Sequence, residues 1–195
     1  MRRIVLATRN IDKVGEIREI LKGFDLLSLD EFPGAPEVEE TGETLEENAV
    51  LKAGEISRNT GMAALADDSG LEVEILGGLP GVRSARFAGE DAGYEDNNRE
   101  LLKLLAGAKN RRARFRCVMA LSYPSGETAT GEGVCAGSIT ESPRGGGGFG
   151  YDPVFLVEGL DKTFAELAPE EKNLISHRAA ALRKIRDYLK SRCKS

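Results

Sequence analysis

Ala63-Ala64-Leu65-Ala66-Asp67-Asp68-Ser69-Gly70 decides how the rest of the chain is read. An apolar run delivers two adjacent carboxylates and then meets Ser-Gly. Side chains alternate across a strand, so Asp67 and Asp68 face opposite sides of a sheet while the strand lasts. One of them can face a cleft while the other anchors backbone. Carboxylates where a buried strand ends are costly to desolvate unless they meet a cation or several donors. By themselves these residues allow two readings: an Asp-Ser-Gly turn between two strands, or the acidic edge of a site. Either way the strand is expected to break at Ser69-Gly70, with a second one over Leu71 to Ile75.

Upstream, Ile4-Val5-Leu6-Ala7 is a short apolar run, expected as a strand buried on both faces. It ends in the polar turn Thr8-Arg9-Asn10-Ile11-Asp12-Lys13. A helix follows, with Val14, Ile17, Ile20 and Leu21 on one face and Gly23 as its stop. Strand, polar turn and helix offer backbone N–H groups to an anion; Thr8, Asn10 and Lys13 add side-chain donors. The alternative is a plain helix cap by Asn10 or Asp12, with Lys13 a surface charge. Leu26 to Leu29 reads as a second strand, followed by an acidic loop from Pro33 to Glu40. Thr44 and Glu47 then form a capping box, and a helix is expected to about Asn59. Its apolar stripe is Leu45, Ala49, Ala53 and Ile56. Lys52 lies beside that stripe, where its stem can run along the core, and Glu40 sits just before the helix.

Downstream, Leu76 to Val82 is a glycine-rich turn and Arg83 to Phe87 an expected extended path. A helix over Asn97 to Leu105 precedes Arg111-Arg112-Ala113-Arg114-Phe115-Arg116, which leads into Cys117 to Leu121. The arginines alternate with packed positions, which marks a strand with one solvated face. No aromatic stacking platform is interleaved with them, so they do not describe a nucleic-acid surface. Pro124-Ser125-Gly126 turns the chain into a hairpin partner over Glu127 to Ala136. Gly145-Gly146-Gly147-Gly148-Phe149-Gly150-Tyr151-Asp152-Pro153 sets four glycines against two aromatics, an acid and a proline. That suits backbone brought close to a ligand beside a stacking ring, or a tight crossover between packed strands. A last helix is expected from Pro169, with Leu174, Leu182, Ile185 and Leu189 inward. Lys172, Ser176, His177 and Arg178 lie near its start. His177 is the one histidine in the chain.

The chain has 195 residues, 41% of them hydrophobic and 30% charged, which fits one domain (1–195) with an ordinary globular core. A net charge of −5 opposes a nucleic-acid partner, though a local basic cleft is compatible with it. No apolar run approaches the roughly 20 residues of a membrane helix, and Ile4 to Ala7 after Met1-Arg2-Arg3 is too short for a signal peptide. Cys117, Cys135 and Cys193 show neither zinc spacing nor an even framework of disulfides. These features predict a cytoplasmic location. Strands alternating with helices, then a hairpin, predict an α/β protein with a mixed sheet.

Six blocks, in order, also resemble a known family. They are Ala7-Thr8-x-Asn10-x-x-Lys13, Glu40-Thr41-Gly42-x-Thr44-x-x-Glu47-Asn48-Ala49, Ala66 to Leu71, Leu76-Gly77-Gly78-x-Pro80-Gly81-x-x-Ser84-Ala85-Arg86, Gly147 to Pro153, and Lys172-x-x-x-Ser176-His177-Arg178. The chain is similar across nearly its whole length to the inosine triphosphatase (HAM1-like) family. The resemblance implies hydrolysis of ITP, dITP and XTP to the monophosphate and pyrophosphate. It implies an elongated mixed sheet in two α/β lobes flanking a central groove, usually in a homodimer. It assigns Asp68 as the base, and Glu40 with Asp68 to Mg²⁺. Thr8, Asn10, Lys13 and Lys52 then serve the phosphates, and Arg9, Ile11 and Asp12, in the same turn, complete the substrate-binding set, although Arg9 and Asp12 depart from the small or variable residues usual there. Ser69, Phe149, Gly150, Tyr151, Asp152, Lys172, His177 and Arg178 surround the nucleotide, with Phe149 stacking on the base and Arg178 reading it. Asp67 is left to support metal or backbone. A pyrophosphatase for other modified nucleotides, or an inactive nucleotide-binding regulator, are the rival readings.

Overall fold

The computed structural model describes residues 3–192; Met1, Arg2 and Cys193 lie outside them. Strand β1 (Arg3–Leu6) leads to helix α1 (Ile11–Ile20) and strand β2 (Asp25–Ser28). Helix α2 (Leu45–Thr60) carries the expected capping box of Thr44 and Glu47 and ends at Gly61 in the left-handed conformation. Strand β3 (Ala63–Val73) follows, then helix α3 (Tyr94–Leu104) and strands β4 (Arg112–Ser122), β5 (Thr128–Ile139) and β6 (Phe155–Val157). Helices α4 (Pro169–Ile175) and α5 (His177–Arg192) close the chain. The strands hydrogen-bond in the order β2-β1-β3-β4-β5-β6. β1 is parallel to β2 and β3, and β5 is antiparallel to β6, so the sheet is mixed. No helix among the described residues is long and apolar enough to cross a membrane.

Two compact units divide the chain. The first comprises Met1–Asp68, Cys117–Gly133 and Arg178–Ser195; the second, Ser69–Arg116 and Val134–His177. The core of the first joins Ile4 and Leu6 of β1, Ile17 of α1, Leu65 of β3, Met119 of β4, and Leu182, Ile185 and Leu189 of α5. The core of the second joins Leu71 and Val73 of β3, Leu101 of α3, Phe115 of β4 and Phe155 with Phe164. Its rings pack tightly, Phe115 and Phe155 lying 4.6 Å apart between centroids.

Three sequence expectations fail. β3 does not break at Ser69-Gly70 but runs unbroken for 11 residues. The Ser-Gly pair is therefore strand, not turn. A Cβ built on Gly70 would lie 2.3 Å from the carbonyl oxygen of Gly81, so glycine here answers a close backbone approach. Residues 81–86 form a short 3₁₀ helix rather than an extended path. Its buried Ser84 ties it to the strand: the hydroxyl accepts from the Leu71 amide at 2.9 Å and donates to the Gly81 carbonyl at 2.6 Å. Gly70→Ala is expected to lower unfolding stability by about 1–3 kcal/mol, read from the urea midpoint. Finally, the last helix is two helices. Ser176 is extended (φ −66°, ψ 155°) and separates α4 from α5. Leu174 is consequently 71% exposed, whereas Leu182, Ile185 and Leu189 are buried as expected.

The basic run is also less open than its composition predicts. Arg114 and Arg116 both bind Glu72, at 2.6 and 2.8 Å. Arg111 donates to the carbonyls of Leu105, Ile139 and Thr140.

Candidate active site

In the first unit, α1, α2, β3 and α5 gather an ionic cluster. Asp67 is buried, and its Oδ2 lies 3.0 Å from Lys13 Nζ and 3.2 Å from Arg178 Nη2. Arg178 also binds Glu16 of α1 through its other terminal nitrogen. Burial alone would push the Asp67 carboxyl up; the cations of Lys13, Arg178 and Lys52 overcome this and hold it well below the usual carboxylate range. Burial likewise opposes the Arg178 charge, but Asp67 and Glu16 hold its pKa above the usual value. Asp67 is thus a counter-ion, locked ionised.

Asp68, one residue on, lives in a different field. Lys52 Nζ sits 3.7 Å from its Oδ1 and 2.5 Å from Glu40 Oε1. Asn48 donates from Nδ2 to its Oδ2 at 3.1 Å. Burial is the largest influence and pushes the Asp68 carboxyl up to about 6; Glu40 adds to this, while Lys52, Lys13 and the Asn48 amide oppose it. Lys52 loses some basicity to burial but regains more from Asp68, Asp67 and Glu40, so its pKa ends raised. A carboxylate held near neutrality beside a fixed ammonium can accept a proton.

Glu40 and Asp68 share one ammonium, which makes them a pair of acids converging on a cation. Among the described residues no group of three or more His, Cys, Asp or Glu gathers to hold a metal. A carboxylate pair alone still fits Mg²⁺, which keeps several waters and is bound through one or two carboxylates plus substrate phosphates.

The Thr8 to Lys13 turn is built largely as the helix-cap alternative describes. Asn10 caps α1, its Oδ1 accepting from the amides of Asp12 (3.0 Å) and Lys13 (3.1 Å). Thr8 Oγ1 accepts from the Asn10 amide at 3.2 Å. Arg9 turns away to the Ala35 carbonyl and Asp30. Ile11 is 81% exposed. The turn still carries Lys13 into the cluster from the third residue of α1.

In the second unit the glycine run is held by Asp152. Its Oδ2 accepts from the Phe149 amide at 2.9 Å and from Lys172 Nζ at 2.5 Å. A Cβ on Gly148, whose φ is +69°, would fall 2.1 Å from that same oxygen, so the loop closes only around glycine. The Lys172 ammonium lies 4.6 Å from the Phe149 ring centroid. Tyr94 of α3 meets Phe149 at 6.1 Å, and Asn98 of α3 donates to the Gly150 carbonyl at 2.9 Å. His177 is buried and stacks on Phe115 at 4.6 Å with 8° between planes. Tyr151 is buried, its hydroxyl donating to the Ser84 carbonyl at 2.9 Å. Ser69 is a half-buried strand residue.

The model of the Ham1 family matches residues 4–188. The chain belongs to the Ham1 family.

Its similarity to other members runs nearly end to end. A protein of Bacillus licheniformis named dITP/XTP pyrophosphatase is 53% identical over 189 residues, covering 95% of this chain and 96% of that one. A Bacillus subtilis protein of the same name is 49% identical, with 98% of each chain covered. Among solved structures, the Staphylococcus aureus Ham1 protein superimposes with a TM-score of 0.90 at 41% identity, over 98% of this chain and 100% of that one. A HAM1 protein from Coxiella burnetii gives 0.90 at 42% identity, with the same coverage.

Within this Ham1 chain the expected residues fall into two groups, one in each unit. Thr8, Asn10, Lys13, Glu40, Lys52, Asp68 and Arg178 belong to the first unit; Ser69, Phe149 to Asp152, Lys172 and His177 belong to the second. Tyr151 and Arg178 have contacts that point to support: one hydroxyl is spent on a backbone carbonyl, and the guanidinium is committed to two acids. Sequence reasoning missed Asn48 and Glu16. Asn48 was detectable as a polar residue one turn from Lys52 on the buried side of α2. Glu16 carried no local signal, because its partner is 162 residues away.

Proposed function

We propose that this protein hydrolyses deaminated purine nucleoside triphosphates (dITP, ITP and XTP) to the monophosphate and pyrophosphate. The observation that carries the reading is Lys52, whose ammonium is shared by Glu40 and Asp68, in a chain about half identical to relatives named dITP/XTP pyrophosphatase. In this reading Asp68 orients a water and takes its proton as the oxygen attacks the α-phosphorus. The bond to the bridging oxygen breaks, and Lys13 and Lys52 meet the charge on the leaving pyrophosphate. Glu40 and Asp68 would hold Mg²⁺, which supplies charge neutralisation and a more acidic bound water. Asp67 keeps Lys13 in place.

The glycine–aromatic cluster is assigned the base. Phe149 offers a stacking face, and Lys172 and His177 bring donors. Hypoxanthine and xanthine carry a 6-oxo acceptor; adenine carries a 6-amino donor, which donors would reject. Arg178 is better placed as the partner of Asp67 than as a reader of the base. The net charge of −5 supports a small-molecule substrate rather than nucleic acid, and the reading extends to a cytoplasmic homodimer.

The test is pyrophosphate release, with Mg²⁺, from dITP, ITP, XTP, GTP and ATP. Pyrophosphate from the first three and little from ATP is expected. Orthophosphate as product, or equal rates on ATP, would overturn the proposal.

A further inference from the structure

Resting on that reading, we propose that Asn48 is a positioning residue for the hydrolytic step: it sets the orientation of the Asp68 carboxylate and ties it to the loop that carries Glu40. The torsion that turns a carboxylate about its Cβ–Cγ bond is broad and roughly two-fold, so orientation must come from contacts. Asp68 has two from a single helix face. Asn48 meets Oδ2 through Nδ2 at 3.1 Å, and Lys52, four residues later, stands nearest Oδ1 at 3.7 Å. Residues four apart lie on the same side of a helix, so α2 addresses each oxygen with a separate group. With Oδ2 held by the amide, Oδ1 is the oxygen turned toward Lys52.

The other end of the Asn48 amide fixes a backbone position. Its Oδ1 accepts from the Gly42 amide at 2.7 Å. The two partners settle which end is oxygen, because a backbone N–H needs an acceptor and a carboxylate needs a donor. Gly42 stands two residues after Glu40, so one side chain, 1% exposed, spans the loop of one acid and the carboxylate of the other. The approach is close: a Cβ on Gly42 would lie 2.7 Å from Asn48 Oδ1 and 2.7 Å from Glu47 Cβ. A link that served only to fasten loop to helix would need the Gly42 bond and no donor aimed at Asp68.

Asn48→Ala and Gly42→Ala test this. The first removes the amide; the second removes no polar side chain but crowds and displaces that amide. Both are expected to lower kcat on dITP about 10²-fold, the scale of a small misplacement of a reacting group, with KM unchanged. In metal-free protein, the Gly42 amide is expected to exchange its hydrogen faster in Asn48→Ala than in wild type. A folded Asn48→Ala protein with wild-type kcat, or one whose loss lies wholly in KM, overturns the proposal. If Asn48→Ala does not fold, Gly42→Ala decides in the same terms; if neither folds, Asn48 is a structural link and the proposal falls. A wild-type protein that releases no pyrophosphate overturns the functional reading and this one with it. Wild-type activity with unaffected variants overturns this one alone.

Discussion

Asp68→Asn is expected to yield a folded protein that releases pyrophosphate about 10²–10⁴-fold more slowly than wild type, the range for losing a positioned general base. The same change is expected to raise stability at pH 8. In the fold the Asp68 carboxyl is pushed from the usual 3.8 up to about 6, chiefly by burial. The folded state therefore binds this proton more tightly than the unfolded one, and stability falls as pH rises from about 4 to about 6. Above that range the ionised carboxylate withholds about 3 kcal/mol. Asparagine keeps the shape, carries no charge and escapes that cost. Melting curves in chelator should show Asp68→Asn above wild type at pH 8, with the gap narrowing towards pH 5. A variant less stable than wild type at pH 8, or one with near-normal turnover, would contradict the assignment.

Asp67→Asn is expected to act in the opposite direction. Its carboxylate has no exposed surface and answers two cations, Lys13 and Arg178. Removing one member of a buried ion cluster costs about 3–5 kcal/mol, because the remaining charges are left uncompensated. The sign with pH is reversed as well. A carboxyl held below its usual range contributes stability that is fully present above pH 4 and is lost as pH falls beneath it. Asp67→Asn should therefore melt far below wild type at pH 7, with the difference shrinking in acid. Equal melting temperatures at pH 7 would show that the cluster contributes nothing. Two neighbours in one strand are thus expected to move stability in opposite directions.

The sequence carried those features whose causes are local. The capping box of Thr44 and Glu47, the Asn10 cap and the alternation of Arg112 to Cys117 were all legible because each rests on a few adjacent residues. So were both acids of the candidate site and the lysine between them, through spacing and the family resemblance. What stayed hidden was set at long range. Ser69-Gly70 has turn composition, and only the close approach of the Gly81 backbone explains why a glycine stands inside a strand. Arg178 gave no sign in the sequence of its ion pairs with Glu16 and Asp67, which lie 162 and 111 residues away. The break at Ser176 moved Leu174 from an inward face to solvent.

The interleaving of the two units bears on how the protein is made. Asp67 is synthesised 111 residues before Arg178, the second of the two cations that meet it when buried. At roughly 5–20 residues per second on the ribosome, that gap lasts from several seconds to about 20. During this time the first unit also lacks Leu182, Ile185 and Leu189 of its core. The first unit cannot finish folding until the last helix emerges. Residues 69–116 and 134–177, by contrast, are all translated before that helix is complete. Nascent chains stalled before Arg178 should expose the β1–β3 region to protease, and release of the C-terminal helix should close it.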